Sequence, residues 1–265
     1  MIENKAVRRF KASMALFSTQ QDMKTSDEYI SAGALAEQFG WTPRFLDGLV
    51  RGEKIPGKQF DQEWRFSRSE LISWLEQKIR TLDHTRVVEL ENRISPALRE
   101  PDEHDPVTLQ LSKSGIRFDV DVADKDELLK KLVDFAFETG ATDKPDALLE
   151  ALFEREALCS TAMSGGVAIC HPRQRDAGLV RKPFVRLIRT SSEIPFGAED
   201  QQATRLFFLL VEADDRGHLK SLARLARIID ESTRLALHHA KSPLEAYKII
   251  EAREVAIDRK KRSIS

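Results

Sequence analysis

Between Arg155 and Arg173 the chain reads Arg-Glu-Ala-Leu-Cys-Ser-Thr-Ala-Met-Ser-Gly-Gly-Val-Ala-Ile-Cys-His-Pro-Arg. An amphipathic helix pattern ends there, a small-residue loop runs from Ser160 to Gly166, and a short apolar strand, Val167-Ala168-Ile169, delivers His171 at its exit. A histidine fixed beside a loop of backbone N–H groups is a place where negative charge can be held. Arg155 and Arg173 flank it and supply planar guanidinium forks for an anion. Imidazole titrates near neutrality, at about 6.5, and is a competent nucleophile. The chemistry these residues suggest is a histidine that carries a phosphoryl group.

The elements around this stretch must hold it in place. From Val107 onward, apolar runs alternate with amphipathic ones. Thr108 to Leu111 and Ile116 to Val122 read as short strands, and Asp124 with Glu127 opens a helix that ends at Gly140. A helix over Ala147 to Phe153 leads into Arg155. Phe184 to Ile188 and Arg205 to Val211 are the strongest strands, and the second is apolar enough to be central. Gly217 to Ile229 is a helix, and Ser242, Pro243 and Glu245 mark the start of the last one. This order predicts an α/β fold: a mixed, largely parallel sheet flanked by helices.

The run from Arg155 to His171 resembles the phosphotransferase-system enzyme IIA domains of type 2, the fructose, mannitol and nitrogen-regulatory type. The residues that carry the resemblance are Arg155-Glu156, Ser160-Thr161, Ser164-Gly165-Gly166, Val167-Ala168-Ile169 and His171, with His218 opening a later helix. Cys170 stands where that family has proline, and Ala162 where it has glycine. The resemblance implies that His171 accepts a phosphoryl group on Nε2 from an HPr-like phosphocarrier protein. It implies that Arg155 steadies the group, with His218 as a second active-site histidine. Ser160, Thr161, Gly165 and Gly166 are then the phosphate-binding loop. The chemistry needs neither a cofactor nor a metal. A metal site built from Cys159, Cys170, His171 and His218 lacks the close cysteine spacing of such sites.

Residues 29–95 read as a second unit. Ser31 caps a helix to Phe39. Thr42 and Pro43 open another, closed by Gly52, and Lys54 to Phe66 form a two-stranded wing. Ser67 and Glu70 box the start of a third helix, with Leu71, Trp74 and Leu75 on one face. This order resembles the excisionase/MerR-type helix-turn-helix, a small winged DNA-binding domain. The resemblance names Arg44, Arg51, Lys54, Lys58, Arg65 and Arg68 as DNA contacts. Asp47 in the recognition helix repels phosphate and Gly48 weakens the helix, so the alternative to DNA binding is a retained fold that binds protein. The third helix extends through Gln77, Ile79, Leu82, Val87, Leu90 and Ile94, either as a homodimer seam or packed on its own domain.

The expected organisation is an N-terminal arm (1–28), the helix-turn-helix with its extended helix (29–95), a linker (96–106) and the IIA-like phosphoacceptor domain (107–256). The 265 residues carry a net charge of -1, so no global field points to nucleic acid and any basic surface is local. Two cysteines fit a reducing compartment, and no long apolar run suggests membrane insertion. These features predict a cytoplasmic regulator that couples phosphorylation of a histidine to a DNA- or protein-binding unit. The alternative is a DNA-binding protein whose IIA-like sensor is inactive in phosphotransfer.

Overall fold

The computed structural model describes residues 29–39, 41–52, 55–60, 63–81, 87, 106–173 and 178–262. The N-terminal arm, Lys54 and most of the expected linker lie outside these residues, as do Leu82, Leu90 and Ile94 of the extended third helix.

Short strand β1 (Tyr29–Ser31) leads into helix α1 (Ala32–Phe39), and the Ser31 hydroxyl accepts the Ala34 N–H at 3.1 Å. Helix α2 (Pro43–Gly52) follows, with proline at its first position, where its missing N–H costs nothing. Strands β2 (Lys58–Phe60) and β3 (Glu63–Ser67) pair antiparallel, and β1 adds to the other edge of β3. Ser67 then caps helix α3 (Arg68–Thr81) by accepting the Glu70 N–H at 3.4 Å. On α3, Leu71, Ile72, Leu75 and Ile79 are buried. Ile79 and Val87 both belong to the hydrophobic core of their own chain, so these two do not present a seam to a second copy.

The larger unit begins with a correction. Val107–Leu111 is a helical turn, α4, rather than a strand. Its first N–H groups, Val107 and Thr108, donate to the Glu254 carboxylate at 2.8 and 3.0 Å, and that distant cap outweighs the local pattern. Strand β4 (Ile116–Val120) precedes helix α5 (Lys125–Glu138), which Asp124 caps through the Glu127 N–H at 2.8 Å. Helix α6 (Pro145–Leu158) carries Arg155 in its last turn. A two-residue strand, β5 (Ala162–Met163), turns back into β6 (Val167–Cys170). The long strands β7 (Phe184–Ile194) and β8 (Thr204–Val211) come next. Helices α7 (Asp215–Ile228), α8 (Glu231–His239) and α9 (Pro243–Arg262) complete the chain.

The five strands stand in the order β4-β7-β8-β6-β5. β4 pairs with β7 and β6 with β8 in parallel, but β7–β8 and β5–β6 are antiparallel. The sheet is therefore mixed, and its longest pairing is antiparallel, against the expectation of a largely parallel one. β8 is central, as its apolar sequence predicts. Two apolar clusters cover the sheet. One holds Leu128, Leu132, Phe184 and Phe207. The other holds Val185, Phe208, Leu222 and Ile250 and also takes in Leu35, Phe66 and Leu71 of the N-terminal unit.

Candidate functional site

His171 leaves β6 on the edge of the parallel pairing with β8, where the strand end fixes its backbone. Its Nδ1 lies 2.8 Å from the Ile169 carbonyl, a partner that can only accept. That bond puts the proton of the neutral ring on Nδ1, so Nε2 is the nitrogen that faces Arg155 and Glu76. The Arg155 Nε–H donates to His171 Nε2 at 3.0 Å. His218 lies in the first turn of α7, which Asp214 caps by accepting the Gly217 N–H at 2.8 Å. The two imidazole rings sit 4.8 Å apart, centre to centre.

The fourth member comes from the N-terminal unit. Glu76, on α3, reaches into the site with Oε1 2.9 Å from His218 Nε2 and Oε2 3.2 Å from His171 Nε2. Arg155 donates to the same Oε2 from Nε at 3.2 Å and from Nη2 at 3.1 Å. All four side chains are sealed from water: Glu76 is 1% exposed, His171 1%, His218 0% and Arg155 3%. Burial disfavours the Glu76 charge, but the two histidines in their protonated forms more than offset it and hold the carboxyl well below the usual glutamate range. Burial likewise works against the Arg155 charge, and Glu76 and Cys159 reverse that, so its pKa is raised.

The arrangement joins Arg155, His171 and His218 as the sequence suggests, but the glycine loop serves another purpose. Gly165 and Gly166 sit at the opposite end of β6, about 16 Å of extended chain from His171. Their φ values of 85° and 74° make the β5–β6 turn, and a Cβ on Gly165 would meet the Arg234 guanidinium at 2.8 Å. The Gly165 N–H donates to Asp200 Oδ2 at 2.9 Å. Thr161 lies closer but is bound to Glu156, donating from its N–H at 3.0 Å and from its hydroxyl at 2.7 Å. The Ser160 hydroxyl donates to the Phe196 carbonyl at 2.6 Å. The N–H groups of Thr161 and Gly165 are thus bound to carboxylates and do not form an open nest. Arg173 lies on the surface.

The two cysteines part company. Cys170 faces the apolar cluster around Phe184 and Phe207, and burial pushes its thiol pKa up. Cys159 is exposed beside Arg155 Nη1, 3.4 Å from its sulfur. Among the described residues, the donor atoms that converge as a metal set would are those of Glu76, His171 and His218, within 4.8 Å of one another.

Of the residues named for DNA contact, Arg44, Arg51, Lys58 and Arg65 are exposed. Arg68 is exposed as well, and its Nε donates to Asp215 Oδ2 at 2.6 Å, which ties the start of α3 to the first turn of α7. At the other end of α3, the Arg80 guanidinium donates to the Ser160 carbonyl.

Residues 110–253 match the family described as phosphoenolpyruvate-dependent sugar phosphotransferase system, EIIA 2, over more than half of the chain. The chain belongs to this family. A fructose-specific EIIA component from Haloferax volcanii is 35% identical over 123 residues, covering 45% of this chain and 78% of that protein. A nitrogen regulatory protein from Bradyrhizobium diazoefficiens is 32% identical over 149 residues, covering 55% of this chain and 94% of that protein. The crystal structure of the nitrogen regulatory protein IIA-Ntr from Neisseria meningitidis superposes with a TM-score of 0.50 at 32% identity, covering 54% of this chain and 98% of that one. Glu76 lies outside the part that matches the EIIA 2 family. Its sequence signal is local: it is a carboxylate four residues after Ile72 and three before Ile79, on the buried stripe of α3. A charge on such a stripe needs a buried partner. No helix among the described residues is long and apolar enough to cross a membrane.

Proposed function

We propose that this EIIA 2 domain is a phosphohistidine relay, with His171 as acceptor and an HPr-like phosphocarrier protein as donor. The observation that carries the reading is the His171 ring itself, whose Nδ1–H is bound to the Ile169 carbonyl and whose Nε2 faces Arg155. The Nε2 lone pair attacks phosphorus of the donor phosphohistidine. As the new N–P bond forms, the donor N–P bond breaks and its electron pair returns to the donor ring. Arg155 and His218 hold the phosphoryl oxygens, so positioning and fixed charge supply the catalysis and no nucleotide enters.

The N-terminal unit, with boundaries near residues 29 and 95, is the output. Its helices, strand pair and capped α3 support a winged helix-turn-helix, and exposed Arg44, Arg51, Lys58 and Arg65 are suited to a phosphate backbone. Incubation of the full chain with phosphoenolpyruvate, enzyme I and the HPr-like carrier tests the relay. An acid-labile label that His171→Ala abolishes is the expected outcome. No label on the unmodified chain or on Glu76→Ala means that the IIA-like domain is an inactive sensor.

A further inference from the structure

Every group assigned to the phosphoryl oxygens already holds an anion. Glu76 Oε2 takes two N–H groups of Arg155 and stands 3.2 Å from the nucleophilic nitrogen, while Oε1 takes His218. A carboxylate and a phosphoryl group seek the same donors. A group bonded to His171 Nε2 would have to lie where Oε2 now lies. The carboxylate does not belong to the EIIA 2 domain: it is brought in by α3, which is fastened on both sides of Glu76. Arg68 grips Asp215 before it, and Arg80 grips the Ser160 carbonyl after it.

We propose that α3 is an internal plug: Glu76 occupies the phosphoryl seat, so docking of the N-terminal unit and phosphorylation of His171 exclude one another. The inference rests on the reading of His171 as phosphoacceptor. It makes the incoming carrier compete with a segment of the same chain, and it makes the phosphoryl group the agent that releases α3. The coupling is reciprocal, since whatever holds α3 in place also slows phosphorylation. The same three donor atoms could bracket a cation. Arg155, however, binds both the Glu76 oxygen and the His171 nitrogen that such an ion would need. A fixed buried guanidinium at that place selects an anion.

The test uses the full chain and three variants. Glu76→Gln keeps the shape and removes the charge, Glu76→Ala empties the seat, and Arg68→Ala loosens the helix from outside the seat. With phosphoenolpyruvate, enzyme I and the carrier, both Glu76 variants should label His171 about tenfold faster than the unmodified chain, within the usual range of intramolecular coupling. Arg68→Ala should move the rate in the same direction. Phosphorylation of the unmodified chain should speed amide exchange along α3. Equal labelling rates in all four proteins overturn the plug and leave the acceptor reading intact. Absence of label in all four overturns the acceptor reading. The plug is then decided by titrating inorganic phosphate against the histidine side-chain NMR signals. Tighter phosphate binding in Glu76→Ala supports it, and unchanged binding refutes it. A stoichiometric transition metal retained through purification and lost in Glu76→Gln also refutes it, because Glu76 would then be a ligand.

Discussion

Glu76 is a buried acid that stays charged, and its energetics can be measured. Its pKa in the folded chain lies well below that of an unfolded glutamate, about 4.3, so the unfolded chain takes up this proton first as pH falls. The stabilisation is therefore complete above about pH 4.3 and is lost as pH drops toward the lower folded value. Glu76→Gln should cost about 3 kcal/mol near neutrality, since it takes the charge from a buried pair and leaves Arg155 facing a neutral amide. Urea unfolding of both proteins should show the gap persisting at about pH 4.3 and closing only below it. At this scale the sequence was readable where one short segment held all the partners. Arg155 and His171 are sixteen residues apart, joined by one helix end and one strand. Gly165 and Gly166 misled, because a positive-φ turn and an anion loop demand the same residue type. Glu76 escaped because its partners lie on elements far along the chain.

Helix α7 positions His218 through its first turn, and that turn depends on Asp214. Removing this cap as Asp214→Ala should cost about 1 kcal/mol in denaturant unfolding. It should also slow labelling of His171, because His218 is carried on the frayed turn. A loss of stability with an unchanged labelling rate would restrict Asp214 to a structural role. Caps were the most legible elements in the sequence: Ser31, Ser67 and Asp124 each accept the N–H that their spacing predicts. Strand direction was not legible. β7 and β8 are apolar along most of their length, a pattern that parallel and antiparallel central strands share, so nothing local signals that they run opposite ways. The turn at Val107–Leu111 was misread for a related reason, since the carboxylate that caps it lies on the last helix.

Over the whole molecule, a net charge of -1 confines nucleic-acid affinity to local patches. If the N-terminal unit binds DNA through exposed Arg44 and Arg51, the double change to alanine should weaken binding to any duplex. The slope of log affinity against log salt should become shallower by about 0.9 for each phosphate that is no longer neutralised, as read by mobility shift over a salt series. Unchanged affinity and slope would point to a protein partner for this unit. The sequence reads as two units, by a change from capped helices and a wing to alternating strands and helices, and the family match covers residues 110–253 of the second. The clasp between the units was not, since it depends on three side chains of α3 meeting a surface made by residues far downstream. Glu254 adds a consequence for that clasp. By holding the Val107 and Thr108 N–H groups, it anchors the point where the chain enters the EIIA 2 fold. After release, α3 therefore remains leashed to a fixed post beside its own socket, at an effective concentration on the order of millimolar. Re-entry is then a first-order event, independent of how much protein the cell contains, and a free copy of the α3 peptide would have to be supplied at comparable concentration to take its place.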